Sequence, residues 1–117
     1  MDFDSFTAVL LVTGEGAPEL TPEQASALQD AHLAYLAGLH ADGSLLAAGP
    51  LRDGGRHYRG LSLFSAATDE ARSLAEADPA VRAGAFGVVV LPWVVPAGAL
   101  SFSPVPFPRS AAEASGD

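Results

Sequence analysis

Hydrophobic and polar positions follow two rhythms along the chain, and the switches between them mark the elements. Ser5 to Val12 (SFTAVLLV) is β-rich and almost wholly apolar after Thr7, which predicts a first strand. Gly14-Glu15-Gly16-Ala17-Pro18 is a loop by its Gly and Pro content. Thr21 stands before Pro22 and Glu23, an N-cap followed by proline at the first helical position. Gln24 comes three residues after Thr21, the spacing of a capping box. A long helix is predicted from there to about Ala41, with Gly43 to stop it. Its apolar face runs through Ala25, Leu28, Leu36 and Leu39, and His32 falls on that same face between Leu28 and Leu36.

Leu45 to Leu51 (LLAAGPL) predicts a short second strand that Pro50 interrupts near its end. Within Arg52 to Arg59, Asp53-Gly54-Gly55 is a turn signal, and Gly60 to Ser65 is a third strand. Thr68 is placed to cap a second helix, with Asp69 and Glu70 in its first turn and Ala71, Leu74 and Ala75 facing inward. That helix ends near Ala77, because the residue before Pro79 avoids helical geometry. Val81 to Gly84 make a short turn, and Ala85 to Val95 form strand four. The order β-α-β-β-α-β predicts an α+β, ferredoxin-like domain over residues 1–96, an antiparallel sheet with two helices on one face. Residues 97–117 form a Pro/Ser/Ala-rich tail, expected to be disordered over 111–117.

Strands one and four are apolar at odd and even positions alike, whereas a sheet open to water on one side alternates. Two helices cover only one face. A second copy of the sheet is the economical cover for the other, so a homodimer packed as an α/β barrel is expected. The competing cover is the tail, whose Ser101 to Pro108 (SFSPVPFP) carries two Phe and suits an extended path over the dimer or an apolar cleft.

Composition narrows the classes of function. The chain has 117 residues, no Cys and a net charge of −8, which excludes disulfide scaffolds and thiolate metal sites and argues against nucleic acid as a partner. The longest apolar run, Phe86 to Val95, is interrupted by Gly87 and Pro92 and is well short of the ~20 residues of a membrane-spanning helix. No membrane partner is expected, and a cytoplasmic location is. The three His have no metal-ligand spacing, and no nucleotide-binding or nucleophile-elbow motif is present, so no metal and no cofactor is implied.

Four features could carry chemistry. His32 is the default acid or base near neutral pH, although a histidine on an apolar helix face is more often a hydrogen-bonded core residue. Asp78 sits at a helix C-terminus, where a carboxylate is disfavoured, so it either caps the next turn or pairs with a histidine and fixes its tautomer. Gly49 removes a side chain from strand two, permitting close approach of a ligand or of backbone. Arg52, Arg56 and Arg59 hold half of the six Arg in one segment, a patch for an anionic ligand or simply an exposed hairpin tip. His40 is placed to stabilise the end of the first helix, and His57 to be exposed.

The elements HLAYL (His32–Leu36), GSLLAAGPL (Gly43–Leu51), GLSLF (Gly60–Phe64) and ADPAVRAG (Ala77–Gly84), with Trp93 after Pro92, together resemble the YCII-related (YciI-like) domain family over residues 5–95. The resemblance implies a ferredoxin-like dimer with an active site centred on His32 and Asp78 and with Gly49 and Pro50 lining the same cleft; Arg52, from the basic segment, is the further residue expected toward the substrate. It also implies an aromatic residue after Asp-Pro, where this chain has Ala80, hence a wider or differently shaped cleft. The leading expectation is a cofactor-free acid–base enzyme of lyase, isomerase or hydrolase type acting on a small organic molecule. The alternative is a non-catalytic ligand-binding or accessory domain. A third reading groups the chain with cofactor-free monooxygenases of dimeric α/β-barrel architecture.

Overall fold

The computed structural model describes residues 1–54 and 56–116. Gly55 of the turn signal and Asp117 lie outside them. The elements run β1 (Phe3–Thr13), α1 (Pro22–Ala41), β2 (Leu45–Pro50), β3 (Tyr58–Phe64), α2 (Thr68–Glu76), α3 (Pro79–Arg82), β4 (Phe86–Pro96) and α4 (Ala111–Ala114). Among the described residues no helix is long and apolar enough to cross a membrane.

Local chemistry sets most of the boundaries. At the start of α1 the Thr21 hydroxyl accepts from the Gln24 amide at 3.1 Å while the Gln24 side chain accepts from the Thr21 amide at 3.0 Å. Gly43, at φ +88°, turns the chain out of α1 in a conformation that costs other residues energy. The second helix departs from expectation: Ala67 is its N-cap, without a side-chain hydrogen bond, and Thr68 is already helical. The expected turn after Asp78 is a short helix, α3, which Asp78 caps through the Ala80 amide.

The four strands form one antiparallel sheet in the order β2-β3-β1-β4, the ferredoxin-like arrangement, with β1 central. Val9 and Leu11 of β1, Phe64 of β3 and Leu45 of β2 point to the helix-covered face and pack with Leu39 of α1 and Ala71 and Ala75 of α2. The N-terminal turns of α1 do not join this core. Ala25, expected on the buried face, is exposed, and burial begins at Leu28 and His32. A twenty-residue helix is about 30 Å long and overruns β2, whose six residues span about 20 Å.

The other face of the sheet is apolar and open: Leu61, Val89, Leu91 and Trp93 are each 40–45% exposed. The tail covers only its end, beside Phe6 and Val95. After a turn at Gly98, Phe102 meets Phe6 edge-on at 5.8 Å, and the chain then leaves for the helical side, where the Val105 carbonyl lies 2.9 Å from His40 Nε2. Phe107 stacks flat on the His40 ring at 3.9 Å, and the Ala111 amide donates to Asp30 of α1 at 2.9 Å. Residues 111–114, expected to be disordered, are a turn of helix capped by Ser110.

The loop after β1 passes so close to the α3–β4 junction that a Cβ on Gly14 would stand 2.1 Å from the Gly84 carbonyl oxygen. The Gly14 amide also donates to the Ala85 carbonyl at 3.1 Å, which holds the two backbones together. Gly14→Ala is therefore expected to cost about 1–3 kcal/mol. That corresponds to a fall in Tm of about 4 °C per kcal/mol for a domain of this size. Thermal denaturation followed by circular dichroism measures it, and an unchanged Tm would show that the loop yields freely.

Candidate functional site

The middle of α1 and the α2–α3 junction bring His32 and Asp78 together. His32 Nδ1 lies 2.6 Å from Asp78 Oδ2, with the two residues 7% and 2% exposed. The other carboxylate oxygen, Oδ1, accepts from the Ala80 amide at 2.9 Å and so caps α3. Capping and pairing, alternatives at the level of sequence, are both present, one on each oxygen. An ionised carboxylate only accepts, so it holds the proton of a neutral imidazole on Nδ1 and leaves the lone pair on Nε2.

Nε2 has no hydrogen-bond partner among the described residues, and none of their fully buried side-chain nitrogen or oxygen atoms lacks one. This nitrogen is consequently reached from open space. The space is a cavity of ≈ 380 Å³ between α1 and the β2–β3 edge. Gln29, His32, Leu33 and Leu36 line it from one face of α1, and Ala48, Gly49 and Pro50 from β2. Its remaining walls include Gly60 and Ser62 of β3, Phe86 of β4, and Phe107, Pro108, Ala111 and Ala114 of the tail. The Phe86 ring packs edge-on to His32, with centroids 5.5 Å apart.

Tyr35, one turn along α1, donates to the Leu74 carbonyl at 2.7 Å. Burial raises the pKa of its phenol above the ordinary 10.0, and the negative charges of Asp78 and then Asp42 raise it further. Tyr35 thus stays a neutral donor between the two main helices across the physiological range.

Of the residues singled out from sequence, His32 and Asp78 meet, and Gly49 and Pro50 line the cavity. A Cβ on Gly49 would meet nothing within 4 Å, so no protein backbone requires glycine there. Arg52 is exposed and lines neither this cavity nor the apolar groove on the open face. Arg59 of the same segment does line the cavity, and its Cζ lies 5.6 Å from the Phe86 ring centroid. Ala80 is buried and serves Asp78 through its amide. His40 does sit at the end of α1, yet its ring nitrogens face two carbonyls, Leu45 and Val105, each at 2.9 Å, so it also fastens the tail. His57 is exposed and stands edge-on to Tyr58. Sequence reasoning missed the tail as a wall of the site, although Phe107 and Pro108 belong to the segment assigned an extended path over an apolar cleft.

Comparison with known proteins follows the same outline. The family model described as the YCII-related domain matches residues 6–94. No curated protein sequence matches the chain. The structure is similar to that of 5-chloro-2-hydroxyhydroquinone dehydrochlorinase from Burkholderia phenoliruptrix AC1100, in complex with 2,5-dihydroxybenzoquinone. That likeness has 25% identity and a TM-score of 0.53, covering 75% of this chain and 92% of that one. A dimeric protein of unknown function and ferredoxin-like fold from Bacteroides fragilis is similar at 14% identity and a TM-score of 0.46, covering 77% and 97%. SnoaB, a cofactor-independent oxygenase from Streptomyces nogalater, is similar at 17% identity and a TM-score of 0.40, covering 83% and 96%. The tail lies beyond the matched family region.

Because the tail forms one wall, Phe107→Ala is expected to loosen it and to open the cavity toward α1. Limited proteolysis should then cleave between residues 100 and 110 at least severalfold faster than in the parent protein. Equal cleavage rates would mean that the His40 stack does not hold the tail.

Proposed function

The chain belongs to the YCII-related domain family, and on that premise we propose that it is a small-molecule enzyme in which His32, oriented by Asp78, performs general acid–base chemistry. One observation carries the reading. A histidine with Nδ1 committed to a buried carboxylate presents an unpartnered Nε2 to a cavity sized for a compound of one ring. Asp78 fixes the tautomer and stabilises the imidazolium that forms when Nε2 takes a proton. Gly49 and Pro50 stand toward the substrate, and the proton transfer itself needs no cofactor. The likeness to a dehydrochlorinase supports a lyase-type reaction, since loss of hydrogen chloride requires removal of a proton from the substrate.

The test uses proton removal as its own readout. Hydroxylated aromatic and carbonyl compounds are incubated with the protein in D2O, and NMR follows carbon-bound hydrogen exchange and conversion. His32→Gln keeps a donor to Asp78 and should abolish exchange while changing Tm little. Asp78→Asn should reduce it by about 10²–10⁴-fold through loss of the required tautomer. A compound that binds in the cavity and neither exchanges nor converts would favour the non-catalytic ligand-binding reading.

The site belongs, in this reading, to a homodimer in which two sheets pack face to face as an α/β barrel. Support comes from the open apolar face, where Leu61, Val89, Leu91 and Trp93 lie side by side, exposed and beyond the part that the tail reaches. Light scattering at micromolar concentration should give twice the 11.9 kDa of the chain, and Leu91→Arg should return it to one chain. A wild-type mass of one chain would refute the dimer.

A further inference from the structure

The described residues that line the cavity include one cation, Arg59, and no Asp or Glu, in a chain whose acidic residues number 14. Arg59 arrives there through a β-bulge. Gly60 pairs with Leu11 and Tyr58 with Val12, so Arg59 is the extra residue of β3. In a regular strand it would share the open face with Leu61 and Leu63. The bulge re-aims it toward the helix-covered side, where the guanidinium stands over the Phe86 ring. The same ring touches His32, so cation and base contact one aromatic side chain. Among the described residues no carboxylate pairs with Arg59, which leaves its forked donors to a ligand.

We propose that Arg59 is the anion-recognition residue of this site and that the ligand is a small planar oxyanion, a carboxylate, phenolate or enolate. This rests on the reading of His32 as the base and names the substrate class for it. The Asp78 charge behind His32 repels an anion, but that carboxylate is 2% exposed and both its oxygens are engaged. Arg59 supplies the opposite sign at the cavity wall itself. The walls around it, Leu33, Leu36, Phe86, Phe107 and Pro108, are apolar and suit the faces of a ring. When Nε2 takes a proton from a C–H or O–H of the bound molecule, the bonding electron pair stays on the substrate. Arg59 is placed to stabilise the charge that results.

Benzoate and its neutral isostere benzamide separate charge from shape. The protein should bind benzoate at least tenfold more tightly by isothermal titration calorimetry, and added salt should weaken benzoate without affecting benzamide. Arg59→Met retains an apolar stem over Phe86 and should erase the preference, whereas Arg59→Lys should keep part of it. His32→Gln should keep the preference in full, so that failure of the catalytic reading, seen in the exchange assay, is distinct from failure of this one. No benzoate binding at millimolar concentration, equal affinity for the two probes, or a preference that survives in Arg59→Met would overturn the proposal.

Discussion

A buried carboxylate holds the functional half of the molecule together. Removing Asp78 from water is costly unless each of its oxygens is satisfied, and the two are satisfied by different parts of the chain. One starts α3 and thereby turns the chain from α2 into β4; the other fixes the rotation of α1 by holding His32. Removing the donor that either oxygen accepts from leaves a buried acceptor unsatisfied, which costs about 1–3 kcal/mol. The orientation of the helix, the tautomer of the imidazole and the path into β4 therefore answer to a single side chain.

Around that anchor the cavity is assembled from segments far apart in the sequence. α1 gives the base and an apolar wall, β2 gives the Gly49–Pro50 edge, and β4 gives the ring that both His32 and Arg59 touch. The tail closes the side that the family region leaves open. His40 fastens it by presenting both ring nitrogens to carbonyls and its face to Phe107. A neutral imidazole donates to one of those carbonyls and a protonated one to both.

What the sequence made legible was local. The capping box at Thr21, the stop at Gly43, the break at Asp78-Pro79 and the placement of His32 on the buried helix face depend on neighbours within a few residues. The family motifs added the His32–Asp78 pair. Arg59 escaped because alternation, the rule that assigns faces along a strand, fails at a bulge, and the bulge is set by pairing with β1 rather than by β3 itself. Ala67 rather than Thr68 is the cap and makes no side-chain hydrogen bond, so the start of α2 is not set by hydroxyl chemistry within the segment. The exposed start of α1 was hidden for the same reason, since periodicity describes a helix and says nothing of where its supporting sheet ends.

The central position of β1 also dictates a timetable. It leaves the ribosome before both of its neighbours, β3 and β4, so its apolar residues have no partner while the following segments are made. Thr7 bonds to a carbonyl 59 residues later, Asp30 to an amide 81 residues later, and Asp4 to one 94 residues later. Phe107 to Ala114 emerge after every other residue that lines the cavity. The segment that encloses the pocket is thus the last of its parts to be made, and the base, the strands and the ring beside them are all encoded ahead of the wall that shuts them in.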